Sequence, residues 1–332
     1  MIRILAFMFA LIASLAMAHV EPPVCKGIDL LDQLRRADPA IYAAVMDDAR
    51  AVPNGQSMFW RIERDGVQPS FLLGTAHVTD PRVTRLQPEA EEALNGASVI
   101  VLELAELRDQ MEMMRATMRH ASLMVLPTGQ SLWDLIPDGD EPAIRDNPNL
   151  PPGGSGSLFG YQPWVVAGML SVPLCEMQRK SLGLEVLDSR IARVAEDRGV
   201  PLIGLETVEE QLGIFAAMPL DLQAKYLVSV ARLGSRIPDF FETLISLYDQ
   251  RNVVAYLPLV RRTEDISPDD AALFAFVEED LLTKRNHRMA ERATALLAEG
   301  NAFIAVGALH LPGNEGLVEL IRRAGYKVTP VN

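Results

Sequence analysis

The chain has 332 residues, 49% hydrophobic and 23% charged, with 22 glycines, 22 prolines and two cysteines. That composition is ordinary for a globular chain and excludes disorder, collagen-like repeats and a disulfide-dense mini-protein. Lys and Arg number 31 against 44 Asp and Glu, a net charge of -13 without a basic stripe, so a phosphate backbone would be repelled and no nucleic acid partner is expected.

Residues 1–18 combine Arg3, an apolar run over 4–13 and the small-residue triplet Ala16-Met17-Ala18, the pattern of a secretory signal peptide cleaved after Ala18. Cleavage would leave a periplasmic or secreted protein with no membrane span. The next most apolar stretch, residues 164–175, is interrupted by Pro173 and is shorter than the roughly 20 residues a spanning helix needs. Export would also place Cys25 and Cys175 where disulfides persist. Two readings stay open for them, one disulfide or two separate buried thiols.

Residues 27–51 carry apolar positions at helical spacing and predict two short helices broken at Pro39, within an N-terminal helical extension over 19–56. The period then changes to two apolar runs, 58–63 and 71–74, flanking Asp65-Gly66, which predicts a β-hairpin. Val99-Ile100-Val101-Leu102 reads as a buried parallel strand. A helix follows over 107–126, with Met111, Met114 and Met118 expected to pack a core or line a groove. Residues 138–160, dense in Pro, Gly, Asp and Asn, read as a flexible loop, either lid or linker. Leu184, Leu187 and Ile191 mark a helix stopped by Gly199, before a strand over 200–205. A helical insert spans about 207–297, and a strand at 302–306, a helix at 314–324 and a strand at 326–329 close the chain. This order predicts an α/β domain over 57–332, with a central, mostly parallel sheet flanked by helices.

Two segments repeat one pattern: Gly74-Thr75-Ala76-His77 and Gly307-Ala308-Leu309-His310 each follow an apolar strand. At the carboxyl ends of strands in an open α/β sheet the chain turns into the ligand-binding crevice, so two histidines delivered this way could grip one metal ion. Glu103 and Glu206 end two other aliphatic strands. A carboxylate there must be paired, because burying an uncompensated charge costs several kcal/mol. The partner is either a metal or an arginine, with Arg285 and Arg82 available. His19 would become the mature N-terminus, His120 and His287 read as solvated, and no H-E-x-x-H, G-x-S-x-G, P-loop or strand-borne G-x-G-x-x-G is present.

Together these motifs resemble the TraB/GumN family: the strand into Gly74-Thr75-Ala76-His77, the run ending at Glu103, Gly204-Leu205-Glu206-Thr207, Arg285-Asn286, and the segment from Val306 to Gly313 that holds His310. The family includes the Tiki-type metalloproteases and is related in fold to erythromycin-esterase and ChaN-like proteins. The resemblance implies a divalent metal, zinc, manganese or cobalt, held by His77, Glu103 and His310. It implies for Glu206 the role of further ligand or base, and for Arg285 that of oxyanion stabiliser or carboxylate holder. The expected activity is hydrolysis of a polypeptide or cell-envelope substrate. Two alternatives remain, a non-catalytic binding or assembly factor linked to exopolysaccharide and a haem- or metal-binding protein.

Overall fold

The computed structural model describes residues 21–150, 153–264 and 268–331. The proposed leader therefore lies outside the described residues.

Six strands form one sheet: β1 (Phe59–Arg64), β2 (Val67–Thr75), β3 (Val99–Leu102), β4 (Leu202–Gly204), β5 (Ala302–Gly307) and β6 (Lys327–Pro330). Their order is β4-β3-β5-β2-β1-β6. The pairs β4/β3, β3/β5 and β5/β2 are parallel, while β1 runs antiparallel to both β2 and β6. Only β1 is reversed, because it is joined to β2 by the tight turn at Gly66, whose φ of 77° is the left-handed conformation that glycine adopts without a Cβ clash.

Both sheet faces are covered, which is why β3 and β5 are aliphatic without alternation. One face packs Trp60, Ile62, Leu72, Ile304 and Val306 against Met289 and Ile321 from the helices Lys284–Leu297 and Leu317–Arg323. The opposite face packs Leu73, Ile100, Leu102 and Phe303 against Ile191 of the helix Leu187–Arg198. A separate helical layer is centred on Leu132, Val166, Leu170 and Leu227.

The helical insert lies in that layer and in the helices Val208–Ala216, Leu220–Leu233, Ile237–Asp249 and Tyr256–Thr263. Part of the segment 138–160 is anchored to it. Ile144 and Leu158 are fully buried, and the Asn147 and Asn149 side-chain amides donate to the carbonyls of Ala231 at 3.0 Å and Gly234 at 2.9 Å. The Met-rich segment forms a helix only over Gln110–Arg119, and Met111, Met114 and Met118 stand exposed. No single helix among the described residues is long and apolar enough to cross a membrane.

In the N-terminal extension, Asp29 caps the helix Leu30–Ala37, and Asp38 caps Pro39–Ala51 with Pro39 in its first turn. The pair packs Leu31 and Val45 on Leu247 and Leu259. Cys25 and Cys175 form a disulfide, with Cα atoms 5.3 Å apart across 150 residues of sequence. The disulfide reading is thus the one the structure realises.

Candidate functional site

The parallel register aligns Leu102 with both Gly204 and Ala305, and Thr75 with Gly307, so the chains leaving β2, β3, β4 and β5 emerge along one edge. Pairing continues past the strand ends, where the Glu206 amide donates to the Glu103 carbonyl at 2.8 Å. Glu103 and Glu206 thereby become neighbours. Gly307 is required by closeness: its amide donates to Glu103 Oε1 at 2.6 Å, and a Cβ there would stand 3.1 Å from the same oxygen. Gly74 is equally confined, since a Cβ would meet the Ala308 Cα at 3.0 Å.

Arg285 bridges the two glutamates. Its Nη2 lies 2.7 Å from Glu103 Oε2 and 2.6 Å from Glu206 Oε2, while its Nε donates to Glu206 as well. Arg288 adds a second guanidinium on Glu206 Oε1 at 2.7 Å, and the Gln211 amide donates to both carboxylates at 3.1 Å. Burial works to raise the pKa of Glu103 and is outweighed by His310, Arg285 and His77 with the Gly307 amide, which bring it down to about 2. Glu206 is likewise held below the usual carboxylate range: burial opposes, and the Arg285 and Arg288 hydrogen bonds prevail. Of the two arginines that sequence reasoning offered as partners, Arg285 takes this role. Arg82 instead binds Asp80 and Glu242.

His310 is buried in the turn after β5 with its Nε2 3.8 Å from Glu103 Oε1. Its Nδ1 faces Asn286 Oδ1 at 2.7 Å, and Asn286 Nδ2 donates to the Glu315 carbonyl at 2.8 Å. That second bond fixes the amide so that its oxygen faces the ring, which assigns the proton to Nδ1 and a lone pair to Nε2. Burial pushes His310 well below the ordinary imidazole range. At neutral pH the pair is therefore a neutral ring beside a carboxylate, and Arg285 supplies the compensating charge.

His77 lies beyond β2 with Nδ1 3.1 Å from Asp188 Oδ2, and Thr75 Oγ1 donates to the other Asp188 oxygen at 2.7 Å. The Asp188 carboxylate raises the His77 pKa to about 9 against the cost of burial. Solvent reaches 55% of the His77 side chain, which tempers that attraction.

Each histidine thus has one ring nitrogen held by a polar partner and the other left over, the arrangement that metal-ligating imidazoles have. With the Glu103 carboxylate, the donor chemistry suits a divalent cation. No group of three or more His, Cys, Asp or Glu among the described residues is arranged around one ion position. Asp188, Arg288 and Gln211 escaped sequence reasoning, and Asn286 stood there only as the neighbour of Arg285 in a family motif, with no role. Two of them carried a signal: Asp188 shares a helical face with Leu184 and Ile191, and Asn286 shares one with Met289 and Ala293, so polar side chains stand at core positions.

Residues 58–330 match the TraB/PrgY/gumN family. The chain is 31% identical over 323 residues to "Metalloprotease TIKI1" of Danio rerio, covering 82% of this chain and 62% of that protein. It is 30% identical over 325 residues to the Homo sapiens protein of the same name, covering 82% of this chain and 61% of that one. "Metalloprotease TIKI homolog" of Nematostella vectensis is 25% identical over 332 residues, with 85% and 68% covered. The chain thus spans about 62% of the length of the first of these relatives. No solved structure matches.

Proposed function

This chain belongs to the TraB/PrgY/gumN family, and from that premise we propose that it is an exported, divalent-metal-dependent peptidase whose metal is held by His77, Glu103 and His310. The observation that carries the reading is the convergence of the chains leaving β2, β3, β4 and β5 on one edge, with both G-x-x-H histidines already held through one nitrogen. The Tiki relatives' printed name, metalloprotease, supports a metal and a polypeptide substrate. The leader pattern and the Cys25–Cys175 disulfide support export.

A cation bound there would supply Lewis acidity and lower the pKa of water. The chain's own residues prepare the site. Asn286 and Asp188 fix which ring nitrogen of His310 and His77 is offered. Arg285 keeps Glu103 ionised and aimed, and Glu206, gripped by Arg285 and Arg288, is assigned the positioning of Arg285 in this reading rather than proton transfer.

The test is elemental analysis of the protein purified without chelator, beside the His77→Ala and His310→Ala variants, followed by a peptide-cleavage screen with zinc, manganese and cobalt. Roughly one metal per chain, lost in both variants together with cleavage, is the expected result. One observation favours a second reading, a non-catalytic envelope-binding or assembly factor: every carboxylate oxygen of the two glutamates is already engaged, by Arg285, Arg288, Gln211 or the Gly307 amide. Wild-type protein that takes up no metal under any loading condition would overturn the peptidase reading and make that alternative the default.

A further inference from the structure

A cavity of about 520 Å³ opens beside the site, past the end of β2 and the start of β1, and it contains none of His77, Glu103 or His310. Met58, Phe59, Leu73 and Leu187, all buried, form its floor, while Arg85 is exposed at its mouth and Arg251 is half-buried. The cavity is large enough for a small organic ligand.

Its arginines are not equivalent. Arg82 is already engaged by Asp80 and Glu242, at 3.0 and 2.7 Å. The Arg85 and Arg251 side chains make no hydrogen bond or ion pair with any described residue, in a protein whose net charge is -13. Asp249 is the one acid among the lining residues, so the lining holds a single carboxylate against two unengaged guanidiniums. Arg251 is also held at φ 57°, a left-handed position that a bulky side chain rarely adopts and that glycine would occupy without strain. The Tyr248 carbonyl fixes it there by accepting from the Arg251 amide at 2.9 Å. The left-handed turn closes the helix Ile237–Asp249, and the guanidinium that it leaves half-buried and unpaired over an apolar floor is open to an anion from outside the chain.

We propose that this cavity binds a carboxylate carried on an apolar body, the carboxylate at Arg85 and Arg251 and the body on Phe59 and Leu73. Guanidinium forks match carboxylates bidentately, and the buried floor rewards an apolar neighbour of the charge. A peptide ending in apolar residues and a medium-chain fatty acid share that chemistry. The proposal does not depend on the metal reading, since none of His77, Glu103 and His310 lines the cavity.

Binding is measured by calorimetry on the disulfide-intact, chelator-treated full chain with two matched pairs of probes: a hexapeptide ending in Leu-Phe against its C-terminal amide, and dodecanoate against dodecanol. The free carboxylates should bind at least about tenfold more tightly than their neutral partners. Whichever of the two binds better names the source. Arg85→Gln and Arg251→Gly should each weaken carboxylate binding by about tenfold or more. Arg251→Gly suits the backbone and so should keep the wild-type melting temperature, which separates lost binding from lost folding. Equal binding of acid and neutral probe, unchanged affinity in Arg251→Gly, or no binding of any probe at about 1 mM would overturn the proposal. None of these results depends on whether the chain cleaves peptides.

Discussion

His310 donates its Nδ1 proton to Asn286 Oδ1 across 2.7 Å, and this one bond decides which lone pair of the ring faces Glu103. Asn286→Ala removes the partner and frees the ring to adopt the other tautomer. Metal affinity should then fall about 10- to 100-fold, the usual cost of losing a partner behind a ligand, while His310→Ala should abolish binding. Competitive titration with a chromophoric chelator distinguishes the two. Equal affinity in Asn286→Ala and wild type would remove Asn286 from the site.

The Asp188–His77 pair makes a pH-dependent contribution in metal-free protein. His77 is raised from 6.5 to about 9 by Asp188, so the folded state binds the proton more tightly than the unfolded chain. The stabilisation is fully present below pH 6.5 and is lost as the pH rises through about 9. Asp188→Asn should bring the His77 titration back toward the ordinary value and flatten stability across that window. Imidazole NMR titration and denaturant midpoints on either side of it test this, and a wild-type curve already flat there would refute it.

Arg285 is the shared counterion of two buried carboxylates, and its side chain is only 13% exposed. Arg285→Met leaves Glu103 without a guanidinium and Glu206 with Arg288 alone, and should destabilise the fold by about 3–5 kcal/mol near neutral pH. Glu103 and Glu206 have lowered pKa values in the folded state, so what they contribute is present above the ordinary value of 4.5 and lost as the pH falls, through about 2 for Glu103. The cost of the substitution should accordingly shrink on acidification, because protonated carboxyls need no counterion. Urea midpoints of wild type and variant at several pH values give the difference, and a gap that stays constant with pH would contradict the counterion role.

The parts of this architecture legible in sequence are those written in local pattern. Val99-Ile100-Val101-Leu102 is aliphatic on both faces, Asp65-Gly66 dictates a tight hairpin, and the doubled G-x-x-H marks two strand ends; each lies where its pattern placed it. Partners that meet only through the fold were not legible. Gln211 and Arg288 reach Glu206 from different helices, and nothing in the spacing of either helix names the partner. The methionines of the helix Gln110–Arg119 show the limit of periodicity, which reports a face without saying whether anything covers it.

The Cys25–Cys175 disulfide acts on the site through one short helix. Leu174–Ser181 carries Cys175 and grips the turn that presents His77: Glu176, fully buried, accepts from the Thr79 amide and hydroxyl at 2.8 Å each, Arg179 donates to the Thr79 carbonyl at 3.0 Å, and Lys180 donates to the His77 carbonyl at 3.1 Å. On the other side of the bond, the N-terminal segment is pinned to the helix Ile237–Asp249 by bonds from the Ile28 amide to Asp239 and from the Leu30 amide to Thr243. Closing 150 residues stabilises the fold by about 5 kcal/mol on the chain-entropy account. The double variant Cys25→Ser with Cys175→Ser should therefore unfold at lower denaturant. Its amide exchange should rise first at Thr79, before the strands of the sheet respond, because the helix loses its tether while the sheet keeps its own core. Glu176→Gln should reproduce the exchange at Thr79 with the disulfide intact. Faster exchange spread evenly over the sheet would show that the bond stabilises the whole domain without bearing on His77.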